Sequence, residues 1–292
     1  MLVQAPLVAR AQEAQTERVC HGLVNDFGRV RSVCISQDRF FADTCRAIGT
    51  FARHWALPEA FLARLIWQES RFDPQALSHA GAQGIAQFMP ATARLRQLDD
   101  AFQPAAALAK SAEYLAYLAD RFGNLGLAAA AYNGGEGRVS RWLGGQGGLP
   151  GETRNYVEII TGRSAEGWRQ DDAEPLDYTL QEGVDFEAGC REMVKSRPMP
   201  ELDRTPATWH PWGVLIAQNF SDATARSRFE RVKSQHGQIL GGEELMLLSV
   251  RNPSFGRRLR YSAQVGRDSR GEAETLCEAL RRAGANCVVV KN

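Results

Sequence analysis

The chain has 292 residues, 44% hydrophobic and 24% charged, with a formal net charge of +1. That length suits about two domains with cores of their own, and so small a net charge argues against a general nucleic-acid binder. No run of 18 or more apolar residues occurs, which excludes a membrane-spanning helix.

The N-terminus, "MLVQAPLVARAQEAQTERVC", lacks a basic region and a long enough apolar stretch for a complete signal peptide. Its "PLVARAQ" reads either as the tail of a signal that starts upstream or as a frayed end, and residues 1–38 are expected to be an N-terminal segment outside the folded domains. From Arg39 onward the pattern turns helical. "LPEAFLARLIWQES" puts Pro58 at the first helical position, followed by Phe61, Leu62, Leu65 and Ile66 at helical spacing. "PAAALAKSAEYLAYLADRFG" is a second helix, opened by Pro104 and stopped at Gly123. "NLGLAAAAYNGGEGRV" is a third, broken at Asn133-Gly134-Gly135, and a glycine-rich loop leads to a short helix in "TRNYVEIITG". Residues 39–168 thus read as an all-α domain with long loops.

Residues 169–208 are polar and then proline-bearing, with one short helix in "VDFEAGCREMVKSR", and read as a linker tethered through Cys190. Residues 209–292 change character. "WGVLIAQNF", "LMLLSV", "RLRYSAQVG" and "CVVVKN" have strand length, and two helices lie between them, giving the order β-α-β-β-α-β of a ferredoxin-like α+β domain. In the third strand Leu259, Tyr261, Ala263 and Val265 share one face, and Arg260, Ser262 and Gln264 share the other, which is expected to stay open to a ligand. The charge divides similarly. From Trp209 onward 13 Lys and Arg stand against 8 Asp and Glu, while the rest carries 22 against 26. Two modules with different partners would explain that asymmetry.

Six cysteines, with no CxxC pair and no clustering with the five histidines, fit disulfides in an oxidising compartment better than a metal site. Buried free thiols are the alternative. Cys277, on the last helix, and Cys287, at the start of the last strand, fit a local disulfide or a packed thiol pair. Cys20, Cys34, Cys45 and Cys190 allow three pairings.

Glu69 sits where its helix gives way, on the stripe formed by Leu62, Leu65 and Ile66. Apolar surroundings and the negative end of the helix dipole both disfavour the ionised carboxylate, which suits a general acid. A charge simply turned to solvent is the plain alternative. The run that follows, "SHAGAQGIAQFMP", is too punctuated by Gly81, Gly84 and Pro90 to be one regular element. Its glycines allow close backbone approach, and its amides could partner the N-acetyl and hydroxyl groups of a sugar.

"ESRFDPQALSHAGAQGIAQFMP", then "AYNGGEGRV" and "ETRNYV", in that order and spacing, resemble the catalytic core of the bacterial lytic transglycosylases with a lysozyme-like fold, over about Ala47 to Trp168. The resemblance implies that Glu69 is the sole catalytic acid/base and that Ser70, Gln87, Met89, Tyr132, Asn133 and Tyr156 contact the glycan. It implies cleavage between N-acetylmuramic acid and N-acetylglucosamine with closure of a 1,6-anhydro ring, needing no metal or other cofactor. Most glycosidases use two carboxylates. Asp73 and Glu136, the other acids in the motifs, read as capping or solvated residues. The alternatives are a lysozyme-type hydrolase and a non-catalytic envelope scaffold.

"WGVLIAQNFSD" and "YSAQVGRDSRGEAETLCEALRRAGANCVVV" resemble a SPOR domain, a peptidoglycan-binding module. That resemblance implies a grip on glycan strands stripped of their peptides, through the face bearing Arg260, Ser262 and Gln264. An RNA-binding domain of the same topology is the rival, but that face lacks paired aromatics to stack bases. Peptidoglycan glycan and envelope or division proteins are the implied partners, with no nucleic acid, in the periplasm or cell envelope.

Overall fold

A computed structural model of the chain describes residues 17–24, 28–170, 177–200, 202, 208–250 and 259–292. The "PLVARAQ" segment lies outside them. The described chain opens with two antiparallel strands, β1 (Arg18–Val24) and β2 (Val30–Ser36), with Cys20 opposite Cys34. Nine helices follow: α1 (Phe40–His54), α2 (Glu59–Ser70), α3 (Pro90–Leu95), α4 (Pro104–Phe122), α5 (Leu125–Gly134), α6 (Glu136–Leu143), α7 (Gly151–Thr161), α8 (Ala165–Arg169) and α9 (Phe186–Met193). The remainder is β3 (Trp212–Asn219), α10 (Asp222–Gln235), α11 (Gly237–Leu240), β4 (Met246–Val250), β5 (Arg260–Arg267), α12 (Arg270–Arg282) and β6 (Val288–Lys291). Helices dominate. Among the described residues none is long and apolar enough to cross a membrane.

Local chemistry sets the helix ends. Pro104 opens α4, where the missing N–H is no loss, while the Gln103 side chain accepts from the Ala106 N–H; Gly123 closes it in the left-handed region. Asn124 caps α5 through the Leu127 N–H. α2 starts one residue later than the sequence suggests, with Pro58 extended at the N-cap rather than inside the first turn.

One large core unites the helices, with Phe40, Ile48, Phe51, Phe61, Leu65, Ile66 and Leu108 fully buried. It corrects two sequence readings. Val33 and Ile35 of β2 lie in this core and Val19 and Leu23 of β1 pack against it, so the two strands join the helical domain rather than a separate N-terminal segment. Tyr178 and α9, both within the expected linker, also belong to it. Cys190 on α9 is bonded to Cys45 on α1, Val194 is buried beside it, and the Tyr178 ring meets the Phe61 ring edge-on at 5.6 Å.

The C-terminal sheet has the order β4-β5-β3-β6, with every neighbouring pair antiparallel. Val214, Ala263 and Val265 point from it into a second core with Phe229 of α10 and Leu276 and Leu280 of α12. Ser269 and Glu272 form a reciprocal capping box at the start of α12. All six cysteines are paired, as Cys20–Cys34, Cys45–Cys190 and Cys277–Cys287.

The other sheet face is not open. Ser262 and Gln264 are each only 3% exposed. Their cross-strand partners Leu248 and Met246 are buried in a third cluster with Leu77 of the helical domain, flanked by Phe102 and Trp209. The alternation on β5 identified the residues sharing this face but not what the face would meet.

Candidate active site

Glu69 is the penultimate residue of α2, above the fully buried Leu62, Leu65 and Ile66. The helix stops because Arg71 and then Phe72 take positive φ, at 59° and 61°. Gln87, facing the same segment, does so too, at 51°. Non-glycine residues held there cost of order 1 kcal/mol or more each, and such strain clusters at functional sites.

The segment after Glu69 is pinned by its own side chains. The Ser70 hydroxyl donates to Ile85 O at 2.6 Å. Gln87 Nε2 donates to Ala76 O at 3.1 Å and Gly84 O at 3.0 Å. Gly84 is required: its φ is +71°, and a Cβ there would lie 1.8 Å from Ala101 O. Ser70 is 4% exposed and turned inward, where its hydroxyl staples α2 to the loop. Met89, 44% exposed at the N-cap of α3, stands at the surface.

Two further elements, α7 and α5, converge on Glu69. Tyr156 of α7 is 2% exposed, and its hydroxyl donates to Glu69 Oε1. Tyr132 of α5 is half-buried and turns its hydroxyl inward, donating to Ala86 O at 2.8 Å beside Ser111 Oγ at 3.2 Å. Its pKa is pushed well above the usual value, first by burial and then by the nearby Glu69 charge. Asn133 is exposed, and its Oδ1 accepts from Thr153 Oγ1 at 2.8 Å, tying α5 to α7. Glu69, Tyr132 and Tyr156 thus form one cluster, with Gln87 and Asn133 holding its walls.

Asp73 lines the same cleft as Glu69, and its Oδ1 accepts from the Gln75 N–H at 2.9 Å, capping a turn. Glu136 departs from its solvated reading. It receives hydrogen bonds from Tyr114 Oη at 3.1 Å and Tyr117 Oη at 3.4 Å, and pairs with Arg96 at 3.5 Å and Arg121 at 3.1 Å. Arg96 also lies over both tyrosine rings, 4.2 Å from each centroid. Burial first, then Glu136, pushes the Tyr114 pKa up. Sequence reasoning missed this cluster; its signal was Tyr114 and Tyr117, three apart on one face of α4.

No group of three or more His, Cys, Asp or Glu side chains among the described residues is placed to hold a metal ion. A larger cavity of about 660 Å³, between Pro58, Trp168, Tyr178 and Phe186, contains none of the site residues.

In the C-terminal domain, Ser262 accepts from Gln218 Nε2 at 2.8 Å, and Arg260 lies over the Phe220 ring at 4.7 Å. With Ser262 and Gln264 buried, the three residues do not form an exposed binding face in this conformation.

Residues 46–155, which hold Glu69, Tyr132 and Asn133 and end one residue before Tyr156, match the model of the Transglycosylase SLT domain. A transglycosylase of Enterobacteria phage PRD1 is 29% identical over 117 residues, covering 40% of this chain and 44% of its own length. The soluble lytic murein transglycosylase of Escherichia coli K12 is 31% identical over 126 residues, covering 36% of this chain and 20% of its own. A solved lytic transglycosylase of Pseudomonas aeruginosa aligns at 29% identity and a TM-score of 0.38, over 45% of this chain and 25% of its own. The chain therefore spans less than half the length of these relatives, and the family match lies in its helical domain.

Proposed function

We propose that the protein is a peptidoglycan lytic transglycosylase in which Glu69 is the single acid/base, carried by a lysozyme-like domain of about residues 39–168. The observation that carries this reading is the Glu69 cluster: one carboxyl inside the matched segment, held by the Tyr156 hydroxyl just past its end and coupled to Tyr132. In the reaction Glu69 gives its proton to the glycosidic oxygen as the bond from the muramoyl C1 breaks. The muramoyl N-acetyl oxygen stabilises C1. The 6-hydroxyl then attacks C1 and returns its proton to Glu69, leaving a 1,6-anhydro ring and a new 4-hydroxyl on the departing sugar. Tyr156 orients the carboxyl, while Gln87, Met89, Tyr132 and Asn133 shape the glycan groove.

Residues 209–292 are proposed to be a SPOR-like, ferredoxin-like glycan-binding domain, on the support of the strand order and the helices packed on one face. Three disulfides favour an oxidising compartment, in keeping with the periplasm. Tethering a binding module to a cleaving one raises local substrate concentration. Asp73, in the same cleft as Glu69, is the one feature that favours a hydrolytic alternative. Glu69→Gln tests the main reading: release of fragments from sacculi should fall to background while sedimentation with sacculi persists. Undiminished release would assign the chemistry elsewhere.

A further inference from the structure

The edge strand of the C-terminal sheet is docked beside Glu69. Ser249 of β4 donates its N–H to Leu77 O at 2.8 Å and accepts from the His79 N–H at 3.3 Å. Both of its backbone groups therefore face the helical domain and none is used in the ladder to β5, so residues 77–79 extend the sheet by a short strand. Around this seam Leu77, Met246 and Leu248 are buried against Phe102 and Trp209. The Trp209 indole donates to His79 O at 3.0 Å, and its ring lies over Gly81. Where Glu69, Asp73 and Leu77 meet Arg226, Leu247 and Tyr261, only about 10 Å³ of free space remains. That is room for about one water, not for a sugar ring.

From this geometry, and resting on the reading of Glu69 as the acid, we infer that the C-terminal sheet is an autoinhibitory plug, docked by strand addition, which must leave before a glycan strand reaches Glu69. The face that docks also carries Ser262 and Gln264, so docking and saccharide binding on that face exclude each other. Gln264 Oε1 is buried without a hydrogen-bond partner among the described residues, a standing cost that favours release. Glycan captured by the uncovered sheet would therefore hold the cleft open, coupling binding by one domain to activity in the other.

A closed majority reduces apparent affinity by the open fraction but leaves turnover at saturation unaltered. Ser249→Pro removes the N–H given to Leu77 and no donor of the β4–β5 ladder, at an edge position that tolerates proline. Trp209→Ala removes a second contact outside the sheet. With the full chain and soluble glycan oligomers lacking stem peptides, each variant should raise kcat/KM by about tenfold, mainly through KM, which corresponds to weakening the closed state by about 1.4 kcal/mol. The His79 amide should exchange its hydrogen faster in both. Faster exchange with unchanged or lower kcat/KM would overturn the inference and make the sheet a wall of the working groove. If no form cleaves glycan, the reading of Glu69 fails, and exchange decides the plug separately. In Glu69→Gln, added oligomers should speed His79 exchange; no change would refute release by glycan.

Discussion

Tyr156→Phe removes one oxygen from the site and little else. The ring is 2% exposed between α2 and α7, so phenylalanine keeps its packing, and the hydroxyl's partner is Glu69 Oε1. A hydrogen bond to an ionised group is worth about 1.5–3 kcal/mol. If that energy holds the carboxyl in its reacting orientation, turnover should fall by roughly 10- to 150-fold, at about 1.4 kcal/mol per tenfold. The assay is initial-rate release of soluble fragments from sacculi, with thermal unfolding measured in parallel to separate a lost fold from a lost orientation. A variant with unchanged melting and turnover within twofold of the parent would refute the role given to Tyr156.

Cys45→Ala/Cys190→Ala opens a crosslink 145 residues apart in sequence, for which loop-closure entropy predicts a loss of about 5 kcal/mol; opening Cys20–Cys34, 14 apart, should cost about 3 kcal/mol. Denaturant titration of the two variants should rank them in that order, and equal losses would contradict the placing of α9 in the main core. Gly84→Ala meets Ala101 O and an unfavourable φ together, so it should destabilise by more than about 3 kcal/mol or fail to accumulate folded protein, and melting within a degree or two of the parent would contradict the loop geometry. The pKa of His21 is held below the usual 6.5, first by burial and then by Lys110. Its unfolded form therefore binds the proton more readily, and its contribution to stability is complete above pH 6.5 and declines as the pH falls below it. His21→Phe should then lose less melting temperature than the parent between pH 7.5 and 5; an equal loss would remove His21 from the account.

How much of this was legible in the sequence depended on the range of the interactions involved. Helices α4, α5 and α7 follow from Pro104, Gly123, Asn133-Gly134-Gly135 and their apolar spacing, all signals within a few residues. The order of strands in the C-terminal domain follows from alternation and turn residues in the same way. The Glu69 segment was legible because its motifs are short and its strained residues adjoin the acid. What was not legible depends on distant partners. β1 and β2 are seven residues each with a half-exposed alternation, and only their packing on α1 and α4 makes them part of the core. α9 reads as linker until Cys190 meets Cys45. Ser262 and Gln264 alternate as a solvent face would, and Leu77, far upstream in the helical domain, covers that face. Glu136 looked solvated because the two arginines and two tyrosines around it come from α4 and the residue that ends α3.

The most direct test of the central claim is mass spectrometry of the products released from purified sacculi. A lone Glu69 that both gives and retakes the proton must leave muramoyl ends closed as 1,6-anhydro rings, each one water lighter than a hydrolysed end. The account predicts anhydro ends throughout, absent with Glu69→Gln and undiminished with Asp73→Asn. Reducing muramoyl ends that depend on Asp73 would contradict it and assign the cleft to a two-carboxylate hydrolase.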